Sequence, residues 1–134
     1  VRFISKKVDD DCFKIGKDWV ESNMIILIEL IIERNSISAD IVIGPPKDDD
    51  NAKEQKNKLL NLAEKEFGKY KKENVKYAHI HSVPLFDEKN EYFESLRKSD
   101  SKLKEILKEK LEKSKIIETY EDFAHKANEL LTKG

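Results

Sequence analysis

Cysteine is nearly missing from this chain, which has one among 134 residues, Cys12. A lone cysteine excludes an internal disulfide and fits a reducing, cytoplasmic setting. It also excludes a zinc site built on paired cysteines, and no HExxH sequence replaces one. Cys12 follows three aspartates, which raise a thiol pKa and argue against a reactive thiolate. Long apolar runs are missing too. The longest, Met24–Ile32, is interrupted by Glu29 and falls short of the roughly 18 residues that a membrane helix needs. The start, Val1–Lys7, carries Arg2, Lys6 and Lys7 with no apolar stretch behind them, so it does not read as a signal peptide. Val1 in place of Met fits a processed chain or the downstream part of a longer protein.

Net charge is also nearly absent, because 26 basic residues face 27 acidic ones. Charged residues nevertheless make up 40% of the chain, against roughly a quarter in average proteins. The 38% that are hydrophobic are clustered and periodic, which argues against disorder and for one small domain. Lysine and glutamate alternate along the later segments, as in Lys108, Glu109 and Lys110. That alternation describes a solvated helix face; a nucleic-acid surface would be more one-sided. The stretch without interleaved acids is Lys69, Tyr70, Lys71 and Lys72. Those three lysines are candidate phosphate contacts, but too small a patch to hold DNA without a larger assembly.

The clearest local signal lies between residues 24 and 43. Met24–Arg34 is rich in β-branched residues and reads as a strand. Ile37–Ile43 reads as a second one, joined through a turn at Asn35 and Ser36. This turn pairs Ile32 with Ala39, Leu30 with Ile41 and Ile28 with Ile43, all on one apolar face. Gly44, Pro45 and Pro46 end the strand, and the aspartates at 48–50 can cap a helix reaching about Glu73. Its inward face is Ala52, Leu59, Leu60, Ala63, Phe67 and Tyr70. Lys56 interrupts that face, with its stem expected along apolar surface and its charge in water.

Around this core the assignments are simpler. Val1–Ile4 reads as a short strand, and Phe13, Ile15, Trp19 and Val20 supply apolar groups around Gly16, with Trp19 as a core anchor. Val75–Val83 alternates as a strand closed by Pro84. Helices follow over Phe86–Lys98, around Leu103–Leu111, and after a cap at Thr119 and Asp122. Strands early and helices late give an α+β fold: a small antiparallel sheet with a central hairpin against several amphipathic helices. Leu30, Ile41, Leu60 and Phe67 are expected in its core.

Four groups of residues are candidates for chemistry. His79 and His81 stand two apart on a strand and so share a face. With a third ligand such as His125 they could bind zinc; among Val75, Tyr77 and Val83, a partly buried structural pair is the simpler reading. Glu29 lies mid-strand among apolar residues, diagonal to Asp40. Two acids on adjacent strands can hold a divalent cation or act as an acid–base pair. The pattern favours a half-covered face on which Glu29 reaches solvent or a lysine. Gly44–Lys47 before a helix suggests a phosphate loop, but its two prolines remove amides and the aspartates repel phosphate. The fourth group is the Lys69, Lys71, Lys72 patch. No cofactor is expected.

The run Ile26–Leu30, then Ala39–Pro45 ending Ile-Gly-Pro, then a polar helix, carries a resemblance. Over about residues 23–65 it is similar to the region after the catalytic core in a group of PD-(D/E)XK nuclease-superfamily proteins. The resemblance implies a C-terminal accessory module of a DNA-acting protein. Those nucleases need an acid on one strand and an acid-x-lysine on the next, where acids hold the metal and lysine orients water. Neither Glu29–Ile31 nor Asp40–Val42 has the lysine, so no catalytic residue carries over and this chain alone is not expected to be an enzyme. The alternative is a free-standing protein-binding module, of the antitoxin or immunity type. Either way the expected partner is a protein, or an upstream domain of the same protein, and not a membrane.

Overall fold

The computed structural model describes residues 2–3, 11–17, 23–33, 36–68, 76–86 and 100–132. The fold is α+β, as the sequence implies. Four strands, β1 (Arg2–Phe3), β2 (Ile26–Ile32), β3 (Ile37–Ile43) and β4 (Ala78–Phe86), form an antiparallel sheet in the order β1-β2-β3-β4. Among the described residues three α-helices pack on it: α1 (Asp50–Phe67), α2 (Asp100–Ser114) and α3 (Ile116–Thr132). Among the described residues no helix is long and apolar enough to cross a membrane. Trp19, Val20, Tyr70 and most of the Phe86–Lys98 segment lie outside the described residues.

The β2–β3 hairpin keeps its expected faces with a shifted register. Ile32 pairs with Ile37, Leu30 with Ala39, Ile28 with Ile41 and Ile26 with Ile43. The ladder continues outward through the Glu33 N–H, which donates to the Ser36 carbonyl at 2.9 Å, so the turn is centred one residue earlier than expected. Moving a turn by one residue shifts the pairing by two, which returns every side chain to its original face. Ile26, Ile28, Ala39, Ile41 and Ile43 are buried, and Leu30 is half-buried where the sequence suggested core. Ile25, Leu27 and Val42 on the other face are buried as well, so this end of the hairpin is covered on both sides.

β4 departs furthest from its expected form. It starts at Ala78 and runs through Pro84 to Phe86, instead of stopping before the proline. Among the described residues it is one of the sheet's two edge strands, where a proline nitrogen can face away from the ladder. Its register slips twice against β3, between Ile37 and Ser38 and between Ile41 and Val42. Each slip is an extra residue on β4 that breaks simple alternation.

α1 begins where the aspartates predict. The Asp49 carboxylate accepts the Ala52 N–H at 2.7 Å, and Asp50 occupies the positive end of the helix. The helix ends at Phe67 rather than Glu73, because Gly68 takes the left-handed conformation (φ 71°) and donates its N–H to the Glu64 carbonyl at 2.8 Å. A Cβ on Gly68 would meet nothing within 4 Å, so the strain of Gly68→Ala is conformational only. Chemical denaturation should show a loss of about 1 kcal/mol. A loss above about 2 kcal/mol would point to contacts that the open surroundings of Gly68 exclude.

α2 and α3 are separated by Lys115 alone, in the left-handed region at φ 59°. Ser114 makes the corner: its hydroxyl donates to the Leu111 carbonyl at 2.7 Å and accepts the Ile116 N–H at 3.3 Å. The expected cap at Thr119 is therefore already inside the helix, where its hydroxyl bonds the Lys115 carbonyl at 3.0 Å. α3 lies across the sheet with Tyr120, Phe123, Ala124 and Ala127 buried. Phe123 meets Phe67 of α1, half-buried, at 5.6 Å between ring centroids.

The remaining tie is at one end of the sheet. Residues 13–17 are bonded to the start of β2 and to the turn after β3: Ile25 N–H to Phe13, Lys17 N–H to Pro45 and Lys47 N–H to Ile15, at 2.7–2.9 Å. Gly16 lies at the closest approach. A Cβ there would stand 2.9 Å from the backbone oxygens of Asn23 and Met24, so glycine is required. This lattice fixes the Pro45–Pro46 turn.

Candidate functional site

Two polar groupings stand out, one on the sheet and one beside the fixed turn. On the sheet, Glu29 and Asp40 are direct register partners rather than diagonal neighbours, a consequence of the shifted turn. Arg2 pairs with Glu29 from the other side in the ladder. Asp40 is only 8% exposed. One carboxylate oxygen accepts the Ser82 hydroxyl at 2.5 Å and lies 3.5 Å from the Ser38 hydroxyl; the other lies 2.8 Å from His79 Nδ1. These bonds join β3 to β4 and satisfy a carboxylate that would otherwise be costly to bury.

The two histidines do not share a face. His81 is opposite Ile41, while His79 is opposite Val42, because the extra residue at Ile80 breaks the alternation between them. His81 stacks on Phe67 at 4.8 Å on the helix side, and His79 joins Asp40 on the other side. His125 is exposed on α3 with Glu129 at 3.4 Å. A zinc pair from His79 and His81 therefore fails on geometry. Among the described residues no three His, Cys, Asp or Glu side chains cluster closely enough to hold a metal ion. His79 donates Nδ1–H to Asp40 from a ring that is 39% exposed. An Asp–His pair of this form can orient a base or a ligand. Here it stands beside Ser82, whose hydroxyl is turned to Asp40 and not to the imidazole. Lys69, Lys71 and Lys72 lie outside the described residues.

The second grouping is a cleft that the sequence did not announce. Two adjoining hollows of about 400 and 410 Å³ share Pro45, Pro46, Lys53 and Lys76 as walls. Lys56 and Leu60 form part of one, Lys17, Asp48 and Tyr77 part of the other. Four lysines from three separate segments thus converge around the Pro45–Pro46 turn. Asp48 is the acid in the walls, and Lys17 engages it at 2.6 Å. That ammonium holds the Asp48 carboxyl below its ordinary range.

Lys56 corrects the expectation of a charge in water. It is 7% exposed, and its ammonium donates to the Lys76 carbonyl at 3.0 Å. Burial pushes its pKa down to about 8, since the charged form loses hydration. The signal was available in the sequence: a lysine at position 56 lies one turn from Ala52 and from Leu59 and Leu60, all on the buried face. Lys17 and Lys76, distant in the chain, gave no such signal. Comparison with protein-family models, with curated proteins and with solved structures finds no match to this chain.

Proposed function

We propose that this chain is a non-catalytic accessory module of a PD-(D/E)XK-type nuclease, which works through contact with protein rather than by cutting nucleic acid itself. The observation that carries the reading is the state of Asp40. Its carboxylate is taken up by Ser82, His79 and the nearby Ser38 in a clamp between two strands, where a cleaving enzyme would keep it for metal and water. The residue two positions on is Val42 and not lysine. Contact with protein rather than nucleic acid is favoured by charges that nearly cancel, 26 basic residues against 27 acidic.

Purified chain with magnesium or manganese should leave duplex and single-stranded DNA intact. Cleavage that persists through purification and disappears in Glu29→Gln would overturn the reading. The coding sequence upstream of Val1 separates the two forms of the proposal. An upstream acid followed by an acid-x-lysine supports the nuclease module. A start codon at that point supports a free-standing partner-binding protein of the antitoxin or immunity type.

A further inference from the structure

We propose that the cleft beside the Pro45–Pro46 turn binds a phosphate monoester, held chiefly by the side chains of Lys53 and Lys76, beside Lys17, which engages Asp48, and Lys56, which donates to the Lys76 carbonyl. The inference rests on shape and charge together. The hollows are of the size that encloses small ligands, roughly 300–1,000 Å³. Among the described residues each hollow has three lysines in its walls, and Asp48, the acid there, is engaged by Lys17. A phosphate monoester carries close to two negative charges and three acceptor oxygens, which suits several converging lysines better than a single carboxylate would.

The two prolines that exclude a phosphate loop do not oppose this site. A phosphate loop works through backbone amides, whereas here lysine side chains supply the donors. Two of the three aspartates that follow are also committed. Asp48 pairs with Lys17, and Asp49 accepts the Ala52 N–H at the start of α1. Pro45, Pro46, Leu60 and Tyr77 give the cleft apolar surface beside the charges. A ligand with a flat apolar part next to its phosphate, such as a nucleoside monophosphate, matches both kinds of wall. The backbone lattice through Gly16 holds the turn in place before any ligand arrives, so little ordering opposes binding.

The test is an amide NMR titration of the whole chain at constant low ionic strength, with inorganic phosphate, AMP, adenosine and a short 5′-phosphorylated oligonucleotide as probes. Saturable shifts are expected at Lys17, Lys47–Lys53, Lys76 and Tyr77 with phosphate and AMP, AMP binding more tightly, and none with adenosine. Lys53→Gln/Lys76→Gln should weaken AMP by about tenfold or more, since each charged hydrogen bond contributes more than a neutral one. Lys108→Gln, on the exposed part of α2, should leave it unchanged. An oligonucleotide that binds at least about tenfold more tightly than AMP identifies a strand end as the source of the phosphate; parity identifies a free nucleotide. Shifts that never saturate, adenosine binding as well as AMP, or a double variant with undiminished affinity would each overturn the proposal.

Discussion

Tyr120→Ala should cost about 3–5 kcal/mol, the usual range for removing a large buried ring from a core. Tyr120 is fully buried on α3, and its hydroxyl donates to the Ile26 carbonyl of β2 at 2.9 Å. The ring therefore contributes burial, and the hydroxyl fixes where α3 crosses the sheet. Burial also pushes the phenol pKa up, so the group stays neutral through the physiological range. Tyr120→Phe separates the two contributions. It keeps the ring and should cost only about 1–2 kcal/mol for the lost hydrogen bond and the carbonyl left behind. Denaturation of the three proteins by urea, followed by circular dichroism, measures both. A loss below about 1 kcal/mol for the alanine variant would mean that α3 is not anchored there.

The faces of the hairpin were legible and its register was not, for one reason. Alternation of side chains has a period of two, so shifts by two residues leave the pattern unchanged. Ile28, Ile41 and Ile43 fall on the apolar face in either register. The choice between pairing Ile32 with Ile37 and pairing it with Ala39 decides whether Glu29 meets Asp40 directly. The helix ends show the same division between local and non-local information. The cap is a local signal: the sequence offers any of the aspartates at 48–50, and the structure uses Asp49. The stop at Gly68 was equally local, but apolar spacing out to Tyr70 masked it. The corner at Lys115 depends on Ser114 bonding in both directions, which no periodicity encodes.

The candidate sites were legible in smaller part. Asp40 was singled out, yet its role depends on β4, and the slip at Ile80 sends His79 and His81 to opposite faces. Alternation in a sequence assumes that no bulge intervenes, and a bulge leaves no mark in residue types as ordinary as Ile80. The lysine cleft is built from segments 17, 53–56 and 76, brought together by pairings that involve Gly16 and Pro46. Its one local trace was the misplaced charge of Lys56.

That charge gives the second large expected effect: Lys56→Met should stabilise the protein at neutral pH. The lysine pKa falls from 10.5 to about 8 in the folded chain. At about 1.4 kcal/mol per pKa unit, discounted for partial screening by solvent, burying the ammonium opposes folding by roughly 2 kcal/mol at pH 7, where it is charged in both states. Methionine has similar length and belongs among Ala52, Leu59, Leu60 and Ala63. It loses the bond to the Lys76 carbonyl, about 1 kcal/mol, which leaves a net gain of about 1 kcal/mol. The pH dependence follows from the direction of the shift. Between about pH 8 and 10.5 the unfolded chain still holds the proton that the folded chain has released, so native stability rises with pH. Wild type should therefore approach the variant across that window, at up to about 1.4 kcal/mol per pH unit, and differ from it most below pH 8. Urea denaturation of both proteins from pH 6 to 10.5 tests this, because titrations common to both cancel in the difference. A variant less stable than wild type at pH 7, or a gap that does not change with pH, would show that Lys56 is not desolvated.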